Sequence, residues 1–356
     1  MKELKEIAWD VPEETYRDDK AISYSTLSSY AKKGFRGLKA YLEGEKTMTK
    51  ALFHGSAVDC LLTNRENFEK CYLIADYKEP SDTIKQIVDM VWEKSDKTQG
   101  DLTKVDQAML LQTINEVGYG AANWYDATKI KKVVEEGNDY FSFKPITMTG
   151  RKVISQTDYN KAEQCVFSLL TNPYTEWIFK EDEKHKVYYQ LKFKISYNAD
   201  LYDWKTNLVE ENTLRCMFDI IYVDYDKRII IPFDLKTTSK NEEDFEEACQ
   251  DWYYDIQATL YWDILNRVLK ADDYFKDFEL HPFTFIPINK DNLTPQLFTY
   301  IDNGKVFADY KGNKHLTWHK LLDEVKWHIE TGNFNYHRRT VLQDGNNVID
   351  FGKDEE

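Results

Sequence analysis

From residue 185 onward the chain changes its hydrophobic rhythm. Val187, Tyr189, Leu191, Phe193 and Ile195 alternate with Lys186, Tyr188, Gln190, Lys192 and Lys194, a period of two that predicts a strand with one buried face. Two further apolar runs, 214–223 and 228–237, are separated by Asp224-Tyr225-Asp226-Lys227, which predicts a hairpin. Elsewhere the period is closer to 3.6. A helix is expected over 22–43, capped by Ser23 or Ser25 and interrupted at Gly34, and a second over 51–62. Residues 80–138 carry helical spacing (Ile84, Ile87, Val88, Val91; Met109, Leu110, Ile114, Val117) and are read as a helical insertion, with 157–170 as another helix. A helix over 242–268 would align Phe245, Cys249, Trp252, Ile256, Leu260 and Ile264 on one side. Strands at 283–288 and 297–301 and a helix over 316–331 complete the pattern. This order predicts an α/β fold, a mixed central sheet flanked by helices, with the catalytic sheet within 185–301. No Pro/Gly/Ser-rich linker divides the 356 residues, so one enlarged domain is expected rather than two.

Composition narrows the class. Hydrophobic residues make up 42% of the chain, enough for a core, and no stretch approaches the roughly 20 apolar residues of a membrane span. The N-terminus is too polar for a signal peptide, so a cytoplasmic protein is expected. Five scattered cysteines give neither a disulfide framework nor a zinc or iron–sulfur spacing. There is no Walker loop and no GxGxxG, so no nucleotide cofactor is expected. The net charge of −15 argues against a nucleic-acid partner only if local surface is ignored. Lys32, Lys33, Arg36 and Lys39 fall in a stretch without acids, as do Arg151 and Lys152, and both stretches are candidate DNA-binding surfaces or simply solvated faces.

The chemistry concentrates in LRCMFDIIYVDYDKRIIIPFDLKTTSK. Asp234 and Lys236, two apart on a strand, share a face. Asp219 lies on the partner strand, where a hairpin turning at 224–227 brings it opposite 234–236. Two carboxylates so placed can hold a hard divalent cation such as Mg²⁺, and the lysine can orient or deprotonate a water and offset charge on a phosphorane. A D-x-K pair forming a plain salt bridge on a hairpin is the competing reading. Gln257 and Tyr261, four apart on the next helix, also share a face.

The order of these blocks resembles the RecB-like PD-(D/E)XK nucleases, most closely the exonuclease VIII family of phage and prophage recombination exonucleases. The matching blocks are Gly55-Ser56-Ala57-Val58-Asp59, Arg215 to Asp219, Asp234-Leu235-Lys236-Thr237-Thr238, and Gln257 with Tyr261. The resemblance implies a RecB-like core, dependence on Mg²⁺ or Mn²⁺, and digestion of linear duplex DNA from an end, 5′ to 3′, in recombination or DNA processing. It implies metal ligation by Asp219, Asp234 and the Leu235 carbonyl, catalysis by Lys236, and support from Gln257 and Tyr261. A ring-like homo-oligomer and a single-strand annealing protein are the partners it suggests. The chain departs from the family twice: Asp59 stands where a metal-binding His is usual, and is read as its substitute, and Gln190 stands where an acid is frequent. A structure-specific or single-strand nuclease, and a catalytically weak DNA-binding protein, are the alternatives.

Overall fold

The computed structural model describes residues 1–44, 49–76, 80–97, 100–198, 211–302 and 316–346. The first half of the chain carries α1 (Glu13–Asp18), α2 (Tyr24–Leu42), α3 (Lys50–Thr63), α4 (Phe68–Cys71), β1 (Tyr72–Ile74), α5 (Asp82–Lys94), α6 (Gln107–Val117), α7 (Asp126–Thr147), β2 (Lys152–Ile154) and α8 (Gln156–Thr171). The second half carries β3 (His185–Asn198), β4 (Glu211–Asp224), β5 (Ile229–Thr238), α9 (Phe245–Trp252), α10 (Tyr254–Ala271), β6 (Glu279–Leu280), β7 (Thr284–Asn289), β8 (Phe298–Thr299), α11 (Trp318–Thr331) and α12 (Arg338–Leu342). None of the described helices is long and apolar enough to cross a membrane.

The chain divides into two compact units, one of Met1–Asp59 with Cys165–Glu356, the other of Cys60–Gln164. The second unit is helical. Ile84, Ile87, Val88 and Val91 of α5 pack with Ile114 of α6, members of the apolar stripes read from the sequence, and with Val133 and Phe141 of α7, which that reading did not include, and β1 pairs in parallel with β2.

The first unit holds a six-stranded mixed sheet in the order β3-β4-β5-β7-β8, with β6 also on β5. β3, β4 and β5 are antiparallel neighbours, β5 and β7 run parallel, and β8 returns antiparallel. The hairpin turns where the sequence placed it, because Asp224 accepts the N–H groups of Asp226 and Lys227 and closes the loop locally. Helices α2, α10 and α11 supply Leu27, Leu38, Ile256, Leu260, Ile264, Leu321 and Val325 to the core formed with the sheet.

Two sequence expectations are corrected. Strict alternation put Val187 and Tyr189 with Leu191, Phe193 and Ile195. Instead Tyr188 joins those three in the core, because Gln190 takes a left-handed φ of 54° and shifts the parity of β3 by one. The single helix over 242–268 is likewise broken. Tyr253 is left-handed (φ 57°), α9 ends there and α10 restarts, and Trp252 leaves the apolar stripe to stand 51% exposed.

Gly55 sets how closely α3 approaches the sheet. A Cβ at this position would lie 3.0 Å from Thr237 Oγ1 on β5. Gly55→Val is therefore expected to cost about 1–3 kcal/mol in urea unfolding, and adding Thr237→Ala to recover much of the loss. No recovery in the double variant would mean that the two positions do not bear on each other.

Candidate active site

β4 and β5 pair regularly from Asp224↔Ile229 to Ile220↔Phe233. One step further in this register Asp219 faces Asp234, and there the backbone ladder stops, while β5 runs on beside β7 to Thr238↔Asn289. The Leu235 N–H, which a continued ladder would satisfy with a β4 carbonyl, donates instead to Asp219 Oδ2 at 2.9 Å. The break extends across β3. Tyr189↔Ile220 and Leu191↔Phe218 are paired, but Gln190, which the register sets against Asp219, is not. Its left-handed backbone costs on the order of 1–3 kcal/mol. Its side-chain amide donates to Asp59 Oδ1 of α3 at 2.8 Å. Gln190, Asp219 and Asp234 thus mark one line across three strands where sheet regularity is given up.

Helix α10 closes over this line. Gln257 Nε2 donates to Asp234 Oδ1 at 2.6 Å, Lys236 Nζ donates to Gln257 Oε1 at 3.0 Å, and Lys236 Nζ lies 2.6 Å from Asp234 Oδ2. The three side chains form a closed triangle, with Asp234 only 3% exposed. The Tyr254 ring lies under the ammonium, 4.6 Å from Nζ to the centroid. Tyr261, one turn beyond Gln257, is buried against the Phe218 and Phe283 rings and packs α10 onto the sheet.

Negative charge is in excess here. Burial, then Asp234 and Asp59, push the Asp219 carboxyl well above its usual range. Burial, then the neighbouring Glu13 and Asp234, raise Asp59 to about 6 against the opposing Gln190 amide and Arg17. Burial disfavours the Lys236 charge, but Asp234, with Tyr254, Tyr24 and Asp219, lifts its pKa above the ordinary lysine value. These neighbours favour the charged form of Lys236.

A divalent cation fits the Asp219–Asp234 pair on two grounds. Asp234 Oδ2 is buried and, apart from its ion pair with Lys236, carries no aligned hydrogen bond. Burial and then the Asp234 charge also raise the Asp219 carboxyl, a penalty that a bound cation removes. Among the described residues, however, no three His, Cys, Asp or Glu side chains converge to hold a metal. The candidate donor set is therefore the two aspartates with the Leu235 carbonyl, and Asp59 bears on Asp219 through its charge.

The basic candidates separate. Lys32, Lys33, Arg36 and Lys39 lie on α2, in the same unit as the site. The Lys32 ammonium sits 4.4 Å from the Trp252 centroid, and burial of that head, followed by the charges of Lys236 and Lys33, lowers its pKa to about 8. Lys39 pairs with Glu43 at 3.8 Å. Arg151 and Lys152 belong to the other unit, where Arg151 donates to the Tyr72 carbonyl at 3.0 Å and Lys152 lies over the Tyr72 ring. His54 is buried beside Cys165 Sγ, at 4.0 Å.

Sequence reasoning passed over Tyr254, Tyr24, Glu13 and Arg17. Tyr254 was within reach, since it precedes Gln257 by three positions on one helix face. Glu13 and Arg17 form an i,i+4 pair at 3.0 Å on a short helix, and nothing in that spacing announces that their charges act on Asp59.

The Asp59 shift has a signed consequence for stability. Its folded value of about 6 exceeds the 3.8 of a free aspartate, so the folded chain holds the extra proton between these limits. The stabilisation linked to this group is full below the lower limit and is lost as pH rises through the upper one. In EDTA, Asp59→Asn is expected to melt above wild type at about pH 7.5, with the gap closing towards about pH 5. A gap independent of pH would show that Asp59 is not the titrating group. Compared with known proteins, the chain matches no family model, and no curated protein is significantly similar to it in sequence.

Proposed function

We propose that this protein is a metal-dependent nuclease of the PD-(D/E)XK type that hydrolyses linear duplex DNA from an end. The observation that carries the reading is the Asp219–Asp234–Lys236–Gln257 constellation, assembled where β4 and β5 part. Asp219 and Asp234, with the Leu235 carbonyl, would hold Mg²⁺ or Mn²⁺, which when bound supplies a Lewis acid for the phosphate and lowers the pKa of a water. Lys236, held protonated by its carboxylate neighbours, orients the attacking water and offsets the charge that gathers on the phosphate oxygens. Gln257 fixes the lysine and the aspartate relative to each other, and Tyr254 walls the ammonium from solvent. A homo-oligomeric ring on duplex DNA, a single-strand annealing partner and a cytoplasmic location belong to the same proposal.

A second reading, a catalytically weak DNA-binding protein, is favoured by one observation: Asp59 is engaged by Gln190 and does not complete a three-acid cluster. Purified protein incubated with linear and with covalently closed circular plasmid, in Mg²⁺ or in EDTA, separates the readings. Loss of linear DNA alone, in Mg²⁺ alone, is the expected result. Nicking of circles would replace end dependence by a structure-specific or single-strand activity, and inertness with retained binding would favour the second reading.

A further inference from the structure

In the unit that holds the active site, the break in α2 opens a basic groove. Gly34, at φ 60° and ψ −156°, interrupts the helix in a conformation that disfavours side chains with a Cβ, and the segment 335–340 folds against it. The His337 ring packs edge-on against Phe35, 4.9 Å between centroids. The groove has a volume of about 460 Å³ and its lining includes Lys33, Arg36, Tyr336 and His337, all exposed, with no acidic residue among its walls. In a chain of net charge −15 such a surface is a local inversion of sign.

The line of cations does not end there. Lys32, next to Lys33, reaches over the exposed Trp252 ring, and Trp252 is fixed by the Tyr24 hydroxyl donating to its carbonyl at 2.7 Å. Trp252 stands two residues before Tyr254, whose ring lies against Lys236, which ties this end of the line to the active site. Tyr336 (60% exposed) and Trp252 (51%) are large aromatic rings left open beside these cations.

We propose that this groove holds a single DNA strand, its phosphates against Lys32, Lys33 and Arg36 and its bases stacked on Tyr336 and Trp252. The nucleic-acid class of the ligand rests on the nuclease reading. The strand is single because open rings stack on unpaired bases, whereas the base faces of a duplex are already covered by their neighbours. The cations match a phosphate backbone, and the absence of acids from the walls removes the repulsion it would meet elsewhere on this protein.

Fluorescence anisotropy of a labelled oligodeoxythymidylate of about 20 residues, in EDTA so that no cleavage occurs, tests the groove directly. Wild type is expected to bind, Arg36→Ala and Tyr336→Ala each to weaken binding by about fivefold or more, and Tyr336→Phe to bind as wild type does. Arg36→Ala should also reduce the salt slope by about 0.7, the share of one single-strand phosphate contact. The proposal is overturned if the alanine variants bind as tightly as wild type, or if an unlabelled duplex of equal length competes as well as the single strand. A protein that cleaves DNA while its groove variants bind normally keeps the nuclease reading and loses the groove. A protein that cleaves nothing but shows groove-dependent binding loses the nuclease reading and keeps the groove.

Discussion

Asp234→Asn is expected to lower the rate of linear duplex cleavage by at least about 10²-fold while leaving the melting temperature in EDTA nearly unchanged. The two effects have different origins. Activity falls because a charge needed in the transition state is removed. Stability changes little, because the repulsion of Asp219 that neutralisation relieves is set against the ion pair with Lys236 that it weakens. Gln257 Nε2 still finds an acceptor in the asparagine carbonyl at a position now 2.6 Å from it. Lys236→Ala should cost activity to a similar extent but behave differently on melting. It removes the cation that offsets Asp219 and Asp234 and leaves both carboxylates in a mostly dry site. With the lysine side chain 20% exposed, a loss on the order of 1–3 kcal/mol is expected, below that for a wholly buried pair. Thermal melts and cleavage rates on the same preparations check both. Equal destabilisation by the two substitutions would contradict the excess of negative charge inferred here.

Asp59→Ala is expected to raise the Mg²⁺ concentration needed for half-maximal activity by on the order of tenfold, with a smaller effect at saturating metal. Asp59 bears on Asp219 by charge while its own carboxylate is held by Gln190, so its removal weakens the field that attracts a cation without removing the two aspartates that would grip it. Asp59→His should likewise retain activity at high Mg²⁺, because a neutral imidazole removes the same charge while the two aspartates remain. A Mg²⁺ titration of Asp59→Ala that overlays wild type would reduce Asp59 to a structural residue of α3.

The site was legible in the sequence as far as local rules reach. Turn chemistry at Asp224 fixed the hairpin register, and that register set Asp219 against Asp234. Helical spacing brought Gln257 to the face that meets them. What was hidden depends on contacts between distant segments or on backbone angles that side chains do not announce. Asp59 and Gln190 were each read as a separate departure from a family pattern, yet they touch across 131 positions. Their chemistry is complementary: an amide donates to Asp59 where a carboxylate would repel it. The left-handed turns at Gln190 and Tyr253 carry neither Gly, Asn nor Asp, so no turn signal marked them, and the parity of β3 and the exposure of Trp252 followed from them. The division of the chain into two compact units was equally silent, because the boundaries near 59 and 165 fall inside helices α3 and α8 and not in a linker.

The most direct test of the central claim is the release of acid-soluble nucleotide from uniformly labelled linear duplex DNA by wild type, Asp219→Asn and Asp234→Asn in Mg²⁺ and in EDTA. Steady release by wild type in Mg²⁺, none in EDTA and a loss of at least about 10²-fold in both variants is the expected result. Release that persists in EDTA, or that both variants sustain at the wild-type rate, would contradict an active site built on Asp219 and Asp234.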